Sequence, residues 1–142
     1  MLTEKQWQSL TYSWGLLMTL VGLAVGAVLS AFGYKPEKNI YGQVYRVGKG
    51  WGGVNFGPVS IVCEDADRSV LNHEFGHSIQ NCYLGPLFPF LVAIPSACRY
   101  WERVYLQKTD KEKFNKLPPY DSVWFEGGAT ELGNKYYEAQ KN

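Results

Sequence analysis

Two histidines set four residues apart beside a glutamate, in His73-Glu74-Phe75-Gly76-His77, are the side chains best placed to do chemistry, and the chain has no other histidine. On an α-helix, positions i and i+4 lie one above the other with Cβ atoms about 5 to 6 Å apart, so both imidazoles can reach one metal ion. That is a zinc-site spacing. Glu74 sits one position round from His73, where its carboxylate can accept a proton from a water that zinc acidifies toward a pKa of about 7 as the water attacks a carbonyl carbon. The flanking residues read as a buried helix. Neither proline nor any charge besides Glu74 falls between Val70 and Ile79, and Val70, Leu71, Phe75 and Ile79 recur at helical spacing.

A catalytic zinc site takes three protein ligands and keeps one position open, so two histidines leave one ligand to be found. Cys82 is about 140° round the helix from His77 and is excluded. The extended metzincin pattern fails, because Gln80 stands where its glycine would be and Tyr83 where its third histidine would be. A carboxylate from a later helix is the remaining common solution, as in the His2Glu sites of thermolysin-like enzymes. Glu126 is preferred to Glu131, Asp121 and Glu102, because Ala129 and Gly133 follow at i+3 and i+7 and give its helix a small-residue face that packs closely on the metal helix. Metal ligands His73, His77 and Glu126, with Glu74 as general base, are the expected site.

His73, Glu74 and His77 match the motif of the zincin class of zinc metallopeptidases, and with Glu126 included the second half of the chain resembles its gluzincin branch, in particular small membrane-associated members from bacteria and their mobile elements. The resemblance is carried by His73-Glu74-Phe75-Gly76-His77, Gly85-Pro86-Leu87, Ile94-Pro95-Ser96 and Trp124-Phe125-Glu126 with Ala129. It implies a zinc-dependent peptidase whose substrate lies extended along a sheet-edge strand, for which Val59–Val62 is the candidate. It also implies an oxyanion-stabilising His or Tyr, and Tyr120, Tyr136 and Tyr137 are equal candidates. The alternative function is a membrane protein that holds zinc for structure or regulation without turnover.

The elements that must position these residues are α+β. Residues 1–34 are expected to carry one transmembrane helix over about 14–32, and residues 35–142 a small zincin-like domain with a short hairpin or sheet and a mainly helical C-terminal part. From Trp14 to Phe32 there are 19 residues without a charge, a rise of about 28 Å as a helix, close to bilayer thickness. Trp7, Tyr12, Trp14 and Tyr34 flank it as interfacial aromatics, and the run exceeds a usual signal-peptide core, so a retained anchor is expected. Gly22 and Gly26 present a small-residue face through which two copies would form a homodimer. Lys35, Lys38, Arg46 and Lys49 follow the segment whereas only Lys5 precedes it, which puts the catalytic part in the cytoplasm.

Ile40–Val47 reads as one strand and Val54–Cys63 as a second, broken at Gly57-Pro58, giving a small hairpin or sheet about a glycine-rich interval. Asp67 or Ser69 can cap the metal helix, which runs to about Tyr83 before Gly85-Pro86. Leu84–Ala97 is apolar yet only 14 residues long and carries three prolines, which predicts a buried, interfacial or re-entrant element with Arg99 and Arg103 near lipid headgroups. Tyr100–Lys116 reads as an amphipathic helix running into a charged loop, and a new helix begins near Val123. A net charge of +1 with no basic stripe excludes a nucleic-acid partner. Cys63, Cys82 and Cys98 form no C-x-x-C pair and are expected as reduced thiols. The expected partners are a membrane and a peptide or protein substrate.

Overall fold

In the computed structural model, which describes residues 1–141, the chain runs α1 (Glu4–Thr11), α2 (Leu16–Ala31), β1 (Glu37–Asn39), β2 (Gly42–Arg46), β3 (Gly53–Phe56), β4 (Val59–Val62), α3 (Arg68–Leu84), α4 (Ile94–Thr109), α5 (Lys111–Lys116) and α6 (Trp124–Lys141). A 3-10 turn (Gly85–Leu87) and a π-helical turn (Pro89–Ala93) join α3 to α4, and a second 3-10 turn (Tyr120–Ser122) precedes α6. The architecture is α+β and mostly helical, with one four-stranded mixed sheet in the order β1-β2-β4-β3.

Of the hairpin or sheet expected, a sheet forms, built from two hairpins. β1 and β2 pair antiparallel about a turn in which Ile40 adopts φ 47°, and β3 and β4 pair antiparallel about Gly57, at φ 64°. The break expected at Gly57-Pro58 is there, and the chain reverses at it, because glycine enters the left-handed region without steric cost. The hairpins join through parallel pairing of β2 with β4, Gln43 opposite Val59 and Arg46 opposite Val62. This corrects the expected substrate strand, because Val59–Val62 lies inside the sheet with both sides paired. The edge strands are β1 and β3, and β3 is the one that borders the histidines.

α3 lies against the sheet and α6 against α3. Leu71 packs with Val44 and Val62 near the start of α3, and Phe75, Ile79 and Cys82, further along the same stripe, meet Trp7 and Tyr136. The N-terminal helices pack onto this core. Thr3 and Gln6 form a capping box that starts α1, and the Trp7 indole donates to Ser78 Oγ at 3.0 Å.

The single spanning helix expected over 14–32 does not form, and among the described residues no single helix is long and apolar enough to cross a membrane. α2 has 16 residues, about 24 Å against a hydrocarbon core of about 30 Å. The chain bends by 92° between α1 and α2. Only the narrow face of Met18, Thr19, Gly22 and Gly26 is buried, while Leu16, Leu17, Leu20, Val21, Leu23, Val28 and Phe32 face outward. Gly22 and Gly26, the face expected to pair two copies, lie in this buried strip. A Cβ at Gly22 would lie 2.0 Å from the Phe56 carbonyl oxygen, and one at Gly26 would lie 3.3 Å from Tyr45 Oη, so both glycines are already used to seat α2 on the sheet.

The apolar stretch 84–97 is neither one buried helix nor a span. Phe88 and Val92 pack on Met18, while Leu87, Phe90, Leu91 and Ile94 are exposed. Helix α4 begins at Ile94, ahead of the Tyr100 start expected, and α5 covers part of the expected charged loop. Gly85 makes the corner at φ 53°, where a Cβ would lie 2.3 Å from the Trp14 indole nitrogen. Arg99 and Arg103 do not reach outward as expected. Arg99 donates to the carbonyls of Tyr120 and Pro119 at 3.1 and 2.8 Å, and Arg103 donates to that of Pro118, so both arginines tie down the loop before α6.

Candidate metal centre

Asp67 starts α3 by accepting from the amides of Ser69 and Val70, which orients the helix that carries His73 and His77. Helix α6 crosses it closely because two glycines allow backbone to meet backbone. A Cβ at Gly76 would sit 1.8 Å from the Ala129 carbonyl oxygen, and one at Gly133 would sit 1.8 Å from that of Asn72. This approach carries Glu126, fully buried in the first turn of α6, to the histidines.

His73, His77 and Glu126 each offer one ligand atom, and these atoms lie within 4.8 Å of one another. Glu126 Oε2 is 3.1 Å from His73 Nε2 and 3.3 Å from His77 Nε2. The His2Glu group can hold a metal ion. The donor set fits one chemically: two imidazole nitrogens and a carboxylate suit a divalent transition ion, and Glu126 Oε1 and Glu74 Oε2 are buried without a hydrogen-bond partner.

The outer nitrogens of both rings are held. His73 Nδ1 is 2.8 Å from Thr130 Oγ1, which donates to Asp121 Oδ2 at 2.7 Å. His77 Nδ1 is 2.8 Å from Gln80 Oε1, and Gln80 Nε2 donates to the Phe125 carbonyl at 2.7 Å.

Burial alone would raise the Glu126 carboxyl, but hydrogen bonds with His73 and His77 outweigh it and hold the group well below the usual carboxylate range. For His77, burial opposes the charged ring, and contact with Glu126 and the nearby Glu74 carboxylate more than compensate, so its pKa is raised. Glu74 behaves differently. Burial pushes its carboxyl up, against the lowering influence of His77 and His73. It stands outside the cluster of three yet lines the same cleft.

That cleft has a volume of about 830 Å³ and runs between the β3 edge and α4, with His73, Glu74 and His77 in its floor. Trp51, Phe56, Phe88, Val92 and Trp101 make its walls largely apolar. Gly53 of β3 comes so near Glu74 that a Cβ there would lie 2.7 Å from Oε1.

No family model, curated protein or solved structure matches this chain. The zincin resemblance rests on its own residues.

Of the three tyrosines left open by sequence, one lies at the cleft. Tyr120 lines it, with its ring 6.4 Å from that of His73 and both Arg99 and Arg103 stacked against it at 5.5 and 5.4 Å. Burial pushes its phenol up to about 12. Tyr136 is buried in the core and accepts from the Leu2 amide, and Tyr137 lies under Arg68 and Lys141. The other carboxylates weighed as ligands, Asp121, Glu131 and Glu102, are not in the cluster. Sequence reasoning missed Gln80 and Thr130. Gln80 follows His77 by three and Thr130 follows Glu126 by four, so helical spacing was the available signal. Among the described residues all three cysteines are free, and Cys82 Sγ lies 3.3 Å from Thr11 Oγ1, away from the centre.

Proposed function

We propose that this chain is a zinc-dependent peptidase that works against a membrane surface. The observation that carries the reading is the convergence of His73, His77 and Glu126 from two helices beneath a cleft bordered by an edge strand. A zinc ion held by these three residues would supply Lewis acidity, acidifying an attacking water and polarising a scissile carbonyl. Glu74 is the general base, and its raised pKa brings it nearer the working pH of such a group. Tyr120 keeps its proton at neutral pH and is the donor available to a developing oxyanion.

The substrate is an extended peptide laid along β3. Cys63 N donates to Gly52 O at 2.8 Å across the β3–β4 ladder, and in an antiparallel pair inward and outward positions alternate. Gly53 and Asn55 therefore turn their N–H and C=O groups to the free edge, where strand addition can use them.

The membrane part of the reading rests on two charge-free stretches, 6–34 and 78–98, which meet where Trp14 Nε1 donates to the Tyr83 carbonyl at 3.4 Å. Exposed apolar side chains of α2 and of the Leu87–Ile94 segment then form a surface suited to the headgroup and acyl boundary. The excess of Lys and Arg after residue 34 suits the anionic leaflet of the cytoplasmic face, which is the side assigned.

The rival reading, a zinc-holding protein without turnover, is favoured by one observation: Glu74 is so buried that its charged form is disfavoured. Zinc analysis and a peptide-library cleavage assay on the parent and on Glu74→Ala separate them. The peptidase predicts one zinc per chain in both and cleavage by the parent only. Equal cleavage by the two, or zinc in both with no cleavage by either, would refute the assignment.

A further inference from the structure

Hydrogen bonds outside the ligand cluster dictate which nitrogen of each imidazole holds its proton. Thr130 Oγ1 lies between Asp121 Oδ2 at 2.7 Å and His73 Nδ1 at 2.8 Å. An ionised carboxylate only accepts, so the threonine proton is committed to Asp121 and its oxygen presents a lone pair to His73. Nδ1 of His73 must then be the donor. The same logic governs the second ring. Gln80 Nε2 donates to the Phe125 carbonyl at 2.7 Å, which turns the amide so that Oε1 faces His77 Nδ1 at 2.8 Å. An amide oxygen only accepts, so Nδ1 is again the donor.

A neutral imidazole with its proton on Nδ1 carries a bare electron pair on Nε2. Here both Nε2 atoms are directed at Glu126 Oε2, 3.1 and 3.3 Å away. Three electron-pair donors this close repel one another unless a proton is shared among them, as in the Glu126 hydrogen bonds of the metal-free centre, or a cation takes that proton's place.

We propose that Gln80, and Thr130 with Asp121 behind it, are positioning residues that lock both histidines as Nδ1–H tautomers and so make the centre a cation receptor. Gln80 has a second effect, since its other end grips the carbonyl next to Glu126 and ties the orientation of His77 to the start of α6. Its value for zinc rests on the reading given under Proposed function, whereas the tautomer assignment stands on the hydrogen bonds alone.

Two measurements on the full chain test this. Proton–nitrogen correlation spectra of the metal-free protein, taken with both imidazoles neutral, should report the Nδ1–H form for His73 and His77. Competition titrations with zinc should then give affinities about 10- to 100-fold weaker for Thr130→Val and Gln80→Met than for the parent, with Thr130→Ser restoring most of the loss and circular dichroism unchanged. Nε2–H tautomers in the parent would overturn the proposal, as would parent-like zinc affinity in both variants. If Thr130→Val does not fold, the parent spectrum and Gln80→Met decide. Should the parent show Nδ1–H tautomers but bind no zinc, the positioning role is upheld and the metallopeptidase reading is the one that fails.

Discussion

At the scale of single residues, the centre sets two carboxylates apart by environment. Glu126 is buried but bonded to both imidazoles and stays ionised, whereas Glu74 is buried beside β3 with one oxygen unpartnered and is pushed toward its neutral form. A carboxyl whose folded pKa is raised holds more protons folded than unfolded, so its contribution to stability is full at low pH and is lost as pH rises through the folded value. In metal-free protein, Glu74→Gln should therefore be more stable than the parent by about 1 to 3 kcal/mol at neutral pH. The gap should close as pH falls through the ordinary carboxylate range. Urea unfolding of both proteins across that range checks it, and a gap that widens toward acid pH would contradict the account.

At the scale of elements, the α3–α6 crossing is what makes a ligand set from residues 49 positions apart in sequence, Glu126 against His77. Its spacing is set by glycine. Gly133→Ala would drive a Cβ into the Asn72 carbonyl, and because backbone must move, a loss of about 1 to 3 kcal/mol or more is expected. Zinc affinity should fall with it, since Glu126 rides on the same helix. Thermal unfolding and zinc titration measure the two losses, and an unchanged zinc affinity in folded Gly133→Ala would show that the crossing does not place the ligand.

Much of this crossing was legible, because helical spacing ties His73 to His77, and Ala129 and Gly133 to Glu126, within single elements. Sheet order was not. Nothing local in Val54–Cys63 distinguishes one long strand from a hairpin, except Gly57-Pro58, and pairing of β2 with β4 is a long-range choice that periodicity does not encode. Tyr120 was equally hidden among three tyrosines, since its place over the cleft depends on Arg99 and Arg103 holding the Pro118–Ser122 loop from a different helix.

At the scale of the whole molecule, the apolar content that reads as a membrane span is divided between two purposes. One narrow face of α2 and the side chains Phe88 and Val92 build the core, and the rest, including Phe90 and Leu91, remains outside. Composition cannot separate these, because the same leucines serve a span, a core or a surface. The resulting patch should bind lipid. Co-sedimentation with phosphatidylcholine–phosphatidylglycerol vesicles should retain the parent, and the double variant Leu87→Asp with Phe90→Asp should lose most of that binding while keeping zinc affinity. A parent that stays in the supernatant would rule out the membrane surface.

The central claim is that one divalent ion joins residues from α3 and α6, and anomalous diffraction at the zinc edge, from crystals grown with zinc, tests it most directly. The account predicts a single strong peak about 2.0 to 2.2 Å from His73 Nε2, His77 Nε2 and a Glu126 oxygen. A peak elsewhere, or no peak with the three side chains still in mutual contact, would contradict it.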